Sequence, residues 1–136
     1  MLCVEVVGKI NSERKGKRFI IQGSLITLNE YTRASRANKY ASAQIKRDQQ
    51  KLICWSIKKW LKNWKTSRPV FIEFTWIEKN KRKDKDNIAF AKKFILDALV
   101  KCGTIPDDKW DDVEGFVDHF EIDKDNPRII VDIYEM

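Results

Sequence analysis

The sequence predicts an α+β domain, a mixed β-sheet with two main helices packed on one side of it, in the order β-β-α-β-α-β-β. Three observations lead there. Residues 41–65 carry an apolar stripe at helical spacing, residues 70–77 form an unbroken run rich in β-branched and aromatic side chains, and residues 88–102 carry a second helical stripe. The 136 residues suit a single domain spanning 1–136 around one core.

Taken in order, residues 2–10 and 18–22 alternate as strands do, with polar residues 11–17 between them. They read as a hairpin turning near Gly16, so that residues 1–17 form an N-terminal strand extension. Residues 23–40 show little periodicity and read as a basic loop. In the helix over 41–65, Ile45, Leu52, Ile53, Ile57, Trp60, Leu61 and Trp64 make the stripe, which places Trp60 and Trp64 in the core. Ser67-Arg-Pro69 ends it, and residues 70–77 follow as a central strand.

The second helix has Ile88, Ala91, Phe94, Ile95, Ala98, Leu99 and Cys102 at three- and four-residue steps, Asp86 or Asn87 as N-cap and Gly103 beyond its end. Residues 115–122 alternate, 123–127 supply turn residues, and 128–134 complete a C-terminal hairpin.

Charge is divided along the chain. Residues 1–106 hold 24 Lys and Arg against 9 Asp and Glu, whereas residues 107–136 hold 3 against 11. A basic body beside a carboxylate-rich part suits a polyanion partner. No apolar run is long enough for a membrane span and the N-terminus lacks a signal-peptide pattern, so the expectation is a cytoplasmic protein with no membrane partner. Cys3, Cys54 and Cys102 are odd in number and far apart. They suggest neither a disulfide framework nor a zinc site and read as small core residues. The only histidine, His119, reads as structural or surface.

Residues 79–108 concentrate the chemistry. Four of the five residues 79–83 are cationic, including Lys81, Arg82 and Lys83, and Asp84 and Asp86 follow at once. Mg²⁺ takes one or two carboxylates plus waters and a substrate phosphate, and alternate residues of an extended segment share a face, so Asp84 and Asp86 are candidate ligands. A helix cap alone explains Asp86 but not Asp84. Asp107 or Asp108 joins them only if the segment after the helix folds back along it.

This stretch resembles the RusA-type Holliday junction resolvases, particularly phage and prophage members. The matching residues are Asp84-Lys-Asp86-Asn87, Phe94-Ile-Leu-Asp97-Ala98-Leu99, Lys101-Cys-Gly103 and Asp107-Asp108. The resemblance covers about residues 18–135. It implies that Asp84, Asp86 and Asp108 are the metal-site carboxylates and that a lysine on the helix is essential. Counting forward from Asp86 puts that lysine at Phe90; counting back from Asp97-Ala98-Leu99 puts it at Lys93. On one continuous helix Lys93 lies two turns after Asp86 and points the same way, with Lys92, nearer the apolar stripe, as second choice.

The family also has an asparagine after its first strand leading into a basic loop, where Asn29, Arg33, Arg36 and Lys39 stand here. Spaced cations interleaved with Tyr31 and Tyr40 can pair with phosphates and stack on bases. The implied activity is a Mg²⁺-dependent endodeoxyribonuclease resolving four-way or branched DNA, acting as a homodimer because a junction presents two symmetry-related cuts. The competing expectation is a non-catalytic nucleic-acid binding module whose aspartates only cap a helix.

Overall fold

A computed structural model describes residues 16–136. Its elements are Lys17–Gln22 (β1), Leu28–Ala37 (α1), Lys39–Leu61 (α2), Val70–Glu78 (β2), Lys85–Ala89 (α3), Lys92–Lys101 (α4), Val113–Ile122 (β3) and Arg128–Glu135 (β4). The strand expected over 2–10 lies outside the described residues.

The four strands make one mixed sheet in the order β1-β4-β2-β3, with β4 antiparallel to both its neighbours and β2 parallel to β3. Composition explains the order. β2 and β4 are mostly apolar and largely buried along their length and take the two central places, whereas β3 carries Glu114, Asp118, His119 and Glu121 and takes an edge. The expected hairpin of 115–122 with 128–134 is therefore corrected: the two segments follow each other in sequence, yet β2 lies between them. The parallel β2–β3 pair needs a crossover, which α3 and α4 provide.

The core lies on one face of the sheet. Phe19 and Ile21 of β1, Ile72, Phe74 and Trp76 of β2, and Ile129, Val131 and Ile133 of β4 meet Ile53, Ile57 and Leu61 of α2 and Phe94, Ile95, Ala98 and Leu99 of α4. Only part of the expected α2 stripe is buried. Trp60 is 44% exposed and is not the core residue its spacing predicts. Trp55 is 60% exposed, with the Lys59 ammonium 5.1 Å from its ring.

Two local corrections bear on the site. Residues 28–37 are helical, because Thr27-Leu-Asn-Glu30 is a capping box: the Thr27 hydroxyl accepts from the Glu30 N–H, and the Glu30 carboxylate reaches back to the Thr27 N–H. No α1 residue is fully buried, and Tyr31 anchors the helix by packing its ring 5.6 Å from both Phe90 and Phe94.

The single helix expected from Ile88 to Cys102 is two. Around Phe90 and Ala91 the amides of Ala91, Lys93 and Phe94 bond to carbonyls three residues back, which tightens the winding and re-aims α4. Gly103 stands just past the α4 end at φ +75°, the left-handed position expected of it.

Candidate active site

β2 and β3 run side by side, so whatever follows one emerges beside whatever follows the other. At that end a cleft of about 660 Å³ is lined by Trp76, Glu78, Lys81, Lys83, Asp84, Lys85, Asp86, Phe120 and Glu121, among others. Asp84 and Asp86 are both exposed there. Asp84 is the N-cap of α3, with extended backbone and no side-chain cap hydrogen bond. The cap therefore stands two residues before the expected Asp86. Asp86 lies in the first helical turn, where its Oδ1 accepts the Asn87 N–H at 3.0 Å. The two do not share a face through extended backbone as predicted, yet both line the same cleft.

Sequence reasoning missed two further carboxylates in this cleft, Glu78 and Glu121. Glu78 ends β2 and is only 7% exposed. It accepts the Ser24 hydroxyl at 2.9 Å and lies 3.5 Å from the Lys83 ammonium. Strand alternation could have flagged Glu78, which continues the inward Ile72-Phe74-Trp76 series; Glu121 is out of phase with that series, opposite Ile77, and no sequence signal singled it out.

Asp108 is elsewhere. It lines a second cleft with Leu96, Trp110, Val113 and Phe116, beside the start of the parallel pair where Val70 stands opposite Val113. The nine residues of β2 separate that end from the Asp84 end, on the order of 26 Å at ~3.3 Å per residue. The segment after α4 does not fold back along the helix, because it must enter β3 at the far end to run parallel to β2. The grouping of Asp108 with Asp84 and Asp86 is thus corrected for a single chain. Among the described residues no three His, Cys, Asp or Glu side chains group to hold a metal ion.

Asp107 and Asp108 also differ from each other. The Asp107 carboxylate accepts the Asp108 N–H at 2.8 Å, which holds its pKa below the usual range, while burial followed by the Asp107 side chain raises that of Asp108.

The break at Phe90–Ala91 decides the lysine geometry. Lys93 is exposed and takes part in none of the ion pairs among the described residues, and the two-turn relation to Asp86 does not hold across the break. Lys92 turns inward onto the sheet. Its ammonium lies 2.6 Å from Asp118 Oδ2 and 4.0 Å from the Phe116 ring centroid, while Asp118 Oδ1 accepts the Trp76 indole N–H at 2.9 Å. His119, expected as structural or surface, is exposed, with Nε2 3.0 Å from Glu73 Oε2 on the other face of the sheet.

Among the candidate DNA contacts, Lys81, Arg82 and Lys83 are all exposed, and Lys81 and Lys83 line the Asp84 cleft. Arg33 and Arg36 are exposed on α1, and Lys39 opens α2. The Asn29 N–H donates to Asn87 Oδ1 at 2.9 Å, so the start of α1 is tied to the helix that Asp84 caps.

No family model matches this chain, and no curated protein matches it significantly. For Mg²⁺, Asp84 and Asp86 present hard oxygen donors with room for waters and a phosphate, and they fit as two carboxylate ligands. Asp108 does not fit from the same chain. No described helix is long and apolar enough to cross a membrane.

Proposed function

We propose that this chain is a Mg²⁺-dependent, structure-selective endodeoxyribonuclease that resolves four-way DNA junctions by hydrolysing one phosphodiester in each of two opposed strands. It rests on the resemblance, and the observation that carries it is the Asp84–Asp86 cleft lined also by Lys81, Lys83 and Lys85. Anion attraction and cation binding stand side by side there, as phosphodiester cleavage requires. Asp84 and Asp86 would hold the metal, which when bound activates water and offsets charge on the scissile phosphate. The rim cations hold the backbone, and Arg33 and Arg36 of α1 with Lys39 at the start of α2 extend the phosphate track. In this reading the protein works in the cytoplasm, and Lys93 stabilises charge on the phosphate.

Homodimerisation belongs to this reading. β3 is a sheet edge with Phe116 and Ile122 about half exposed. Antiparallel pairing of two β3 edges about a two-fold axis sets the basic end of each chain, residues 79–85, against the acidic residues 107–114 of the other. It also carries Asp108 of the partner subunit towards Asp84 and Asp86, supplying the third carboxylate. Mixing Asp84→Asn chains with Asp108→Asn chains tests this, because hybrid dimers regain one complete site only if Asp108 acts across the interface.

The second reading is a non-catalytic binding module, and the observation that favours it is the position of Asp84 as the N-cap residue and Asp86 in the first turn of α3, where a negative charge suits the helix dipole without any metal. Incubation with a synthetic four-way junction and with linear duplex, each with and without Mg²⁺, separates the readings. The nuclease cuts the junction only with metal; the module binds equally well in both conditions and cuts nothing.

A further inference from the structure

Cys54 and Cys102 are 48 positions apart in sequence, yet their sulfurs lie 2.7 Å from each other. The core imposes this approach. Cys54 sits on α2 beside buried Ile53, Cys102 ends α4 with its N–H bonded to the Ala98 carbonyl, and α2 and α4 are held together by Ile53, Ile57, Ala98 and Leu99. Both cysteines are half-buried thiols rather than the enclosed core residues their spacing suggests. They open on a groove bordered by Lys51, Lys58 and Lys101.

We propose that Cys54 and Cys102 are a redox-reversible pair, closed to an intramolecular disulfide by a small disulfide oxidant of the glutathione type. The chemistry balances without a metal. One cysteine thiolate attacks a sulfur of the oxidant and releases one glutathione thiolate. The second cysteine thiolate then attacks the mixed disulfide, forming the protein S–S bond and releasing the second glutathione. Two protein thiols are oxidised, one glutathione disulfide is reduced, and the two protons that leave the protein thiols end on the two released glutathione thiols. The groove suits this reagent, since its lysines complement the carboxylates of glutathione.

Burial, followed by the neighbouring Cys54 thiol, pushes Cys102 up to about 12, so its attack as a thiolate speeds up as pH rises. Once closed, the bond encloses β2, the basic run, Asp84 and Asp86 in one covalent loop, and fixes the end of α4 from which the chain turns at Gly103 towards Asp108. Closing so long a loop restricts the unfolded chain, and the folded protein gains thermal stability.

The test uses the full chain, incubated with oxidised glutathione at mildly alkaline pH and then analysed by intact mass, thiol titration, peptide mapping and thermal melting. The expected result is a mass lower by two hydrogens, two thiols lost, a cross-linked peptide joining residues 54 and 102, and a Tm rise of about 5–10 °C that dithiothreitol reverses. Cys54→Ser abolishes the cross-link and the Tm rise, whereas Cys3→Ser leaves both in place. Separate glutathione adducts on Cys54 and Cys102, or two unreacted thiols in the folded protein, overturn the proposal. None of these measurements involves DNA or Mg²⁺, so the result stands apart from the nuclease reading.

Discussion

The ammonium of Lys92 lies 2.6 Å from the Asp118 carboxylate, and both side chains are mostly withdrawn from water, 15% and 22% exposed. The pair joins α4 to the edge strand β3, and the Trp76 indole occupies the second carboxylate oxygen. Lys92→Ala leaves a part-buried carboxylate without its counter-charge and should cost about 1–3 kcal/mol in urea denaturation. Asp118→Asn keeps an acceptor for Trp76 and should cost less.

Lys93 should behave in the opposite way. Its side chain is exposed and Lys93→Ala should change stability by less than ~0.5 kcal/mol. If it serves the phosphate, single-turnover cleavage of a four-way junction falls more than about tenfold with only modest loss of binding. Full activity in Lys93→Ala, together with a loss in Lys92→Ala beyond its effect on folding, assigns the role to Lys92.

Asp84 makes no cap hydrogen bond, so Asp84→Asn should leave stability within about 0.5 kcal/mol of the parent while abolishing junction cleavage. Asp86→Asn should do the same to cleavage. Junction binding should be preserved or tighter in both, since a negative charge facing phosphate is removed. Undiminished cutting by purified Asp86→Asn would remove the metal assignment.

Binding should weaken steeply with salt, and neutralising Lys81, Arg82 and Lys83 together should flatten the slope of log K against log salt. Within this run Lys83 should contribute least, because Glu78 already lies 3.5 Å from its ammonium. A slope unchanged in the triple variant would exclude the run from DNA contact.

Burial, then the Glu73 and Asp132 carboxylates, raise the Tyr134 phenol above its ordinary value of 10.0. The folded state thus holds this proton more tightly than the unfolded chain does. Stability is fully present below about pH 10, where both states are protonated, and falls above it as only the unfolded state deprotonates, by at most ~1.4 kcal/mol per pH unit for this group. Urea denaturation at pH 8 and pH 10.5 should show that fall, and Tyr134→Phe should reduce it.

Much of the architecture was legible in local pattern. The apolar run at 70–77 becomes the central strand, the spacing of Phe94, Ile95, Ala98 and Leu99 becomes the buried face of α4, and Gly103 takes the left-handed position past its end. The Thr27–Glu30 capping box was equally legible, though the scattered cations around it read as a loop. Trp60 shows the limit of periodicity: its spacing matches the stripe, but the buried face of α2 is set by Ile53, Ser56, Ile57 and Leu61 and leaves Trp60 outside it.

By itself the sequence determined which segments can be strands or helices and that a basic run adjoins two aspartates, because these depend on side-chain spacing and charge over a few residues. Only the tertiary structure decided that β4 enters between β1 and β2, that β3 runs parallel to β2, and that the chain between them is wound as two helices. Those choices depend on contacts between residues far apart in sequence, which local periodicity does not encode. They send Asp108 to the opposite end of the sheet from Asp84, turn Lys92 rather than Lys93 onto β3, and bring Cys54 against Cys102.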